Sequence, residues 1–321
     1  MSYRPFALLF LWAAIRLPAQ SILQYRAVLQ VAEPVKGGSV ELAIRMFTDD
    51  TVQALLLVNP DSLTVRTAPA QDFHRKSVDW NWLYATWAEK PYIKALAAAR
   101  RNDVPRTDAG ITRLGAPETG IYLTADLCPS LRPMDRRIFT TLAETAGKEE
   151  RPVPVTLCIS GMWLRNHRED MTWLKEMVEK GELRITWANH TLHHHWDPKL
   201  PPDQNFLLEK GANLETEVLG NEELLLENGV VPSVFFRFPG LVSDRAVADK
   251  VLDWGLIPIG SDAWLAKGQH PQASGSIVLI HANGNEPVGV DDFLRLLTKE
   301  KDSLQRGQWR LLDLREKSAQ E

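Results

Sequence analysis

Beyond Gly120 the chain alternates short apolar runs with segments of helical spacing. The runs are Ile121–Ala125, Val153–Ile159, Leu183–Ala188, Val234–Phe238, Leu256–Gly260, Ser276–His281 and Trp309–Leu312. Runs without polar alternation predict strands buried on both faces, as in a parallel sheet. Between them, Met171, Leu174 and Val178 share one helical face, and Gly181 stands where that helix should stop. Leu207, Leu214, Val218 and Leu225 do the same in the longest segment. Val247, Val251 and Trp254 mark a further helix, with Ser243 expected as its N-cap. Two gaps are too short for a helix and are expected to be loops. The alternation predicts an α/β fold, a distorted (β/α)7 barrel over residues 119–321. Chemistry in such a barrel gathers at the carboxyl ends of the strands.

The preceding part, residues 21–118, has a mixed pattern and reads as a small α+β lead-in region of unassigned role. Val40–Phe47 and Ala54–Val58 look like strands, and Asn59-Pro60-Asp61-Ser62 like a turn into Leu63-Thr64-Val65. Pro91 opens an expected helix through Arg101. The stretch from Asn102 to Thr119, with Pro105, Gly110, Gly115 and Pro117, reads as the join to the barrel. Residues 1–20 carry Arg4, an apolar run Phe6–Ile15 and Pro18-Ala19, the shape of an export signal. Arg16 and a weak cleavage site leave open a retained N-terminal anchor. No other stretch is apolar and long enough to span a membrane. The expected location is periplasmic or extracellular.

Composition narrows the partners. The 321 residues are 44% hydrophobic and 24% charged, which is the make-up of a folded domain and not of a disordered or fibrous chain. A net charge of −4 gives no general attraction to nucleic acid, so none is expected as a partner. Two cysteines, Cys128 and Cys158, are too few for a disulfide scaffold or a zinc ribbon. They fall near the ends of adjacent runs, so a bridge between them and a pair of buried thiols both remain open.

The expected strand ends are polar in a concerted way. The first run closes on Thr124-Ala125-Asp126-Leu127-Cys128-Pro129 and the third on Asn189-His190-Thr191-Leu192-His193-His194-His195-Trp196. Phe236-Arg237-Phe238-Pro239-Gly240, Ser261-Asp262-Ala263-Trp264 and Leu279-Ile280-His281 close the next three. An acid, a histidine cluster, an arginine, a second acid and another histidine thus share one rim. Trp163, Trp196 and Trp264 lie near the same ends, where flat rings can stack on sugar faces.

In order and residue type these motifs resemble the NodB-homology polysaccharide deacetylases, carbohydrate esterase family four, from about Ile121 to Leu312. His190-Thr191-Leu192-His193-His194 is similar to that family's His-Ser/Thr-x-x-His metal motif. Arg237-Phe238-Pro239-Gly240 resembles its Arg-x-Pro motif, Leu279-Ile280-His281 its Leu-x-His motif, and Asp262 with Trp264 its Asp-Trp motif. Thr124-Ala125-Asp126-Leu127 is similar to the opening Thr-x-Asp-Asp, with leucine where the family has its metal-binding aspartate.

The resemblance implies a metal-dependent hydrolase that removes N-acetyl groups from an amino-sugar polysaccharide of the cell wall or extracellular matrix. It implies His190 and His194 as ligands of a divalent metal, and an imidazole-rich site suits zinc, with cobalt or nickel as alternatives. Asp126 would be the general base, Arg237 its charge partner, His281 the general acid and Asp262 the group orienting His281. The backbone N–H of Gly240 would face the oxyanion, and Trp264 and Trp196 would bind substrate. Leu127 leaves the third metal ligand open. Asp126 moves onto the metal, or His193, His195 or another nearby group supplies the ligand, or the metal is held weakly or not at all. Two other functions stay open: a carbohydrate-binding pseudoenzyme on this scaffold, and an amidohydrolase acting on non-sugar C–N bonds.

Overall fold

The computed structural model describes residues 21–318 apart from 102, 103, 106, 117, 148 and 149. The export-signal expectation for residues 1–20 lies outside them. The lead-in region opens with an antiparallel sheet of five strands: β1 (Ile22–Pro34), β2 (Glu41–Asp49), β3 (Val52–Val58), β4 (Val65–Pro69) and β5 (Phe73–Ser77), in the order β4-β3-β2-β1-β5. Asn59 Oδ1 accepts from the amides of Asp61 and Ser62 and builds the turn between β3 and β4. Two short helices follow, α1 (Trp80–Thr86), capped by Asp79, and α2 (Pro91–Arg101), which starts on its proline. The longest strand, β1, left little trace in the hydrophobic pattern. Its register shifts between Leu23 and Arg26 and again between Ala27 and Gln30, which breaks the two-residue alternation.

The barrel is wholly parallel. Its strands are β6 (Gly120–Leu127), β7 (Val153–Ile159), β8 (Leu183–Asn189), β9 (Phe235–Phe236), β10 (Ile257–Pro258), β11 (Ala263–Trp264), β12 (Ser276–His281) and β13 (Arg310–Leu311). Seven of them run in the order β10-β9-β8-β7-β6-β12-β11, and β13 pairs with β6. The segment Ile111–Leu114 spans the gap between β10 and β12. Ile111 N donates to Pro258 O at 3.0 Å, and Thr112 O accepts from Ile277 N at 3.1 Å. Part of the expected linker is therefore barrel wall. The helices between strands are α3 (Arg137–Thr145), α4 (Gly161–Asn166), α5 (Arg168–Glu179), α6 (Leu214–Glu227), α7 (Arg245–Asp253), α8 (Pro287–Gln305) and the terminal α9 (Leu314–Ser318).

Three local expectations are corrected. The segment with Leu207 and Leu214 is not one helix, because Gly211 takes φ 90° and α6 starts only after the Asn213 cap. Asp244, not Ser243, caps α7, by accepting from Val247 N. In α5 the third core residue is Met177, while Val178 is 38% exposed.

Strand parity sorts β6 into two faces. Ile121, Leu123, Ala125 and Leu127 pack outward into the core shared with Ile138 and Phe139 of α3 and Phe293 of α8. Tyr122, Thr124 and Asp126 point into the barrel. The barrel floor is continuous with the lead-in core: Tyr122, Cys158, Phe235 and Ile277 join Leu42, Ile44, Leu83 and Tyr92 in one cluster. A fully buried ion pair fastens this contact. Arg45 donates to Glu222 on α6 through Nε at 2.6 Å and Nη2 at 3.0 Å, and Tyr25 Oη adds a hydrogen bond at 2.9 Å.

Candidate active site and metal centre

Register brings the polar strand ends to one level. Asp126 on β6 lies beside His281 on β12, and Ile159 on β7 beside Asn189 on β8, which in turn pairs with Phe236. Asp126, His190, Arg237 and His281 therefore converge at one mouth.

Arg237 is fully buried and spends its donors on this rim. Nη1 donates to Asp126 Oδ1 and to Thr124 Oγ1, each at 2.7 Å, and Nη2 donates to Gly260 O at 2.7 Å. Burial raises the Asp126 pKa, but Arg237 first, then His190 and His281, outweigh it and hold the carboxyl below its ordinary value. The second oxygen, Oδ2, faces His190 Nε2 at 3.7 Å.

The histidine motif is a tightly pinned turn. Asn189 Oδ1 accepts from Thr191 N and from Asn221 Nδ2, while Asn189 Nδ2 donates to Val218 O at 2.8 Å. Gly161 N donates to Thr191 O at 3.0 Å, and a Cβ on Gly161 would stand 2.5 Å from Leu192 Cδ1. Thr191 and His194 adopt φ of 69° and 50°, a left-handed backbone that non-glycine residues keep mainly where surroundings impose it. The turn sets the rings of His190 and His194 4.7 Å apart, edge to face. His190 Nδ1 lies 2.9 Å from Arg237 O, so it donates there and Nε2 is left with a lone pair. His194 Nε2 is buried and finds no hydrogen-bond partner among the described residues. His193 and His195 turn aside: their Nδ1 atoms sit 2.7 Å from Glu217 and 2.6 Å from Glu209.

Leu127 is fully buried in the outer core and contributes nothing to the mouth. Two positions past Asp126, Cys128 has the inward parity. Its Sγ is 3.5 Å from His190 Nε2, and Cys128, His190 and His194 each place a donor atom within 4.8 Å of the others. A second group, Asp126, Cys128 and His281, shares the same sulfur. Burial raises the Cys128 pKa, but His194, His281 and His190 outweigh it and bring the thiol well below its ordinary value. Both cysteines are free, so no bridge joins Cys128 to Cys158. A partnerless buried imidazole nitrogen beside a second lone pair and a thiol is a donor set that fits a divalent cation.

One predicted role is corrected. Asp262 accepts from Arg113 Nη2 at 2.7 Å and from Ser276 Oγ at 3.0 Å. Ser276 and His281 are opposite ends of β12, about 16 Å apart at 3.3 Å per residue. Asp262 therefore cannot orient His281. The acid beside His281 is Glu286, at the start of α8, with Oε2 2.7 Å from His281 Nδ1 and accepting from Trp264 Nε1 at 2.8 Å. Burial lowers the His281 pKa, but Cys128 and then Glu286 outweigh it and raise it well above the usual imidazole value.

A cleft of about 600 Å³ opens over these groups, walled by His194, Trp196, Phe206, Gly240, Trp264 and Glu286. Trp196 is 57% exposed, and the Trp264 ring lies 5.4 Å from that of His281. Gly240 has φ 61°, and a Cβ there would come within 2.6 Å of the Phe206 ring. Trp163 is absent from the cleft: it is buried and stacked on His167. Glu286, Cys128 and Phe206 were missed at the sequence level. Only Cys128 had a readable signal, the two-residue parity that places it beyond Asp126 on the inner face.

Residues 32–93 match the family described as the RP012 protein N-terminal domain. The structure is similar to a family 4 carbohydrate esterase from Bacillus anthracis, at 20% identity and TM-score 0.46, over 70% of this chain and 90% of that one. It is also similar to Bacillus subtilis PdaA, a family 4 carbohydrate esterase, at 17% identity and TM-score 0.43, covering 68% and 94%. A third similar structure is a family 4 pseudoenzyme from Bacillus anthracis, at 16% identity and TM-score 0.42, covering 66% and 69%.

Proposed function

We propose that this protein is a metal-dependent hydrolase that removes N-acetyl groups from an amino-sugar polysaccharide outside the cell. The observation that carries the reading is the convergence of a buried, charge-paired carboxylate, two adjacent imidazoles and an acid-backed histidine on one cleft. What a divalent cation supplies when bound there is Lewis-acid activation of the acyl oxygen and of water.

The protein's own groups do the proton work. Asp126 keeps Oδ1 tied to Arg237 and turns Oδ2 towards His190, where it takes the proton of the attacking water. Arg237 keeps that carboxylate ionised at neutral pH. His281 faces Glu286 through Nδ1 and stands beside Cys128, and its ring gives a proton to the departing amine. Its raised pKa suits a group that must be protonated at the start of the step. The Gly240 amide is the assigned oxyanion donor, and Trp196 and Trp264 offer flat apolar faces for pyranose rings. Glycans of this kind lie outside the membrane, in accord with the basic start and apolar run at Phe6–Ile15, and we assign the protein an exported location.

The test is acetate release from N-acetylglucosamine oligomers and peptidoglycan by chelated protein, before and after zinc or cobalt is restored. Release only with metal is expected. Glycan binding with no acetate across all metals would overturn the reading in favour of a carbohydrate-binding pseudoenzyme.

A further inference from the structure

The missing carboxylate at Leu127 has a replacement one residue further on. We infer that the Cys128 thiolate is the third protein ligand of the metal, making a His2Cys centre in which sulfur stands in for oxygen. This rests on the metal-hydrolase reading above and assigns a ligand that reading leaves open.

Geometry carries the assignment. In a tetrahedral site with a metal–sulfur bond of about 2.3 Å and a metal–nitrogen bond of about 2.05 Å, those two ligand atoms stand about 3.6 Å apart. Cys128 Sγ and His190 Nε2 stand 3.5 Å apart. The third donor, a ring nitrogen of His194, lies within 4.8 Å of both, and the Nε2 of that ring is buried without a partner among the described residues. The backbone is built to keep the sulfur there. Asn283, fully buried, donates from Nδ2 to Cys128 O at 3.0 Å and so fixes the residue that follows β6. His190 in turn is held in the ligating tautomer by Arg237 O.

Two consequences follow from the chemistry of sulfur. Coordination requires the thiolate, so protons compete with the metal for Cys128 and binding weakens as pH falls. Thiolate with two imidazoles prefers zinc, cobalt or nickel to magnesium, calcium or manganese, which favour oxygen donors.

The experiment is cobalt substitution in the full chain, with metal content read by elemental analysis and coordination by absorption spectroscopy. One cobalt per chain is expected, with a sulfur-to-cobalt charge-transfer band in the near ultraviolet. The band should vanish in Cys128→Ser and Cys128→Asp and persist in Cys158→Ala. Cys128→Ala should weaken cobalt binding at least about 100-fold, the upper end of what losing an outer-shell partner costs. Bound metal should also block alkylation of Cys128 by iodoacetamide. Cobalt bound and acetate released without the band, or a band that survives Cys128→Ser, would overturn the sulfur ligand and leave the hydrolase standing. No uptake of any divalent metal by the native chain would overturn both. Cys128→Asp retains an anionic donor, so loss of the band with cobalt still bound separates lost sulfur from lost folding.

Discussion

Glu286 Oε2 lies 2.7 Å from His281 Nδ1, at the point where β12 gives way to α8. The carboxylate is itself steadied by Trp264 Nε1. This makes Glu286 the positioning residue for the proposed general acid. Burial lowers the His281 pKa, while Cys128 and Glu286 raise it, and the raising effects win. The step needs His281 protonated, so His281 sets the basic limb of the kcat/KM profile. Glu286→Gln removes one raising charge, so that limb should move to lower pH while the acid limb, set by Asp126, stays. Asp262→Asn should leave both limbs in place. A pH profile of each variant decides between the two acids.

Leu127 would be the natural place to introduce an aspartate beside Asp126, and the fold forbids it. The side chain faces the outer core with Ile159, Met134 and Phe139, with no exposure. A carboxylate there would be buried without a partner, at a cost of at least about 3 kcal/mol. Leu127→Asp should lower the denaturation midpoint and leave cobalt affinity no tighter than in the native chain. Tighter binding in a folded variant would show that the end of β6 can rotate.

Much of the barrel is legible in the sequence, because its strands are buried on both faces and appear as unbroken apolar runs. Val153–Ile159 and Ser276–His281 match the observed strands residue for residue. The site was legible where a motif packs its residues close in sequence, as with His190 and His194, or where the strand end itself is the signal, as with Asp126, Arg237 and His281. What escaped depends on long-range packing. Asp262 and Glu286 are both acids just outside strands, and only the length of β12 and the entry angle of α8 decide which one meets His281. Strand β1 was obscured by its bulges, and the seam between the two parts by Arg45, whose charge hides in the core only because Glu222 meets it.

That seam should be sensitive to single changes and tolerant of a paired one. Arg45→Ala leaves the Glu222 carboxylate buried with Tyr25 as its remaining donor. The expected loss is about 3–5 kcal/mol in urea denaturation, typical for stranding a buried charge. The double change Arg45→Met with Glu222→Leu should recover most of it, since neither charge is then left without a partner. If the single variant unfolds at the native urea concentration, the pair is not what joins the two parts.

The adjacent histidines His193 and His194 differ sharply in surroundings. His193 is about half exposed and held by Glu217 through both its ring and its backbone amide. His194 places a ring nitrogen beside His190 and Cys128, and its Nε2 is buried without a partner among the described residues. His194→Ala and His190→Ala should each weaken metal binding at least about 100-fold. His193→Ala should retain metal at the native level, so equal losses at 193 and 194 would mean that the turn as a whole, and not the one ring, holds the ion.

Asp126→Asn isolates the base from the scaffold. Asparagine is isosteric, and its amide oxygen can still accept from Arg237 Nη1, which now donates to Oδ1 at 2.7 Å. The lost charge leaves a fully buried guanidinium with weaker compensation, so some stability must go, up to about 3–5 kcal/mol. The metal ligands proposed here do not include Asp126, so metal content should hold at the native level. Turnover should not: an amide cannot take a proton from water, and losing a general base costs about 10²–10⁴-fold. Acetate release, elemental analysis and circular dichroism on one preparation separate these effects. Loss of metal together with activity would move Asp126 from base to ligand, while near-native turnover would remove it from the reaction altogether.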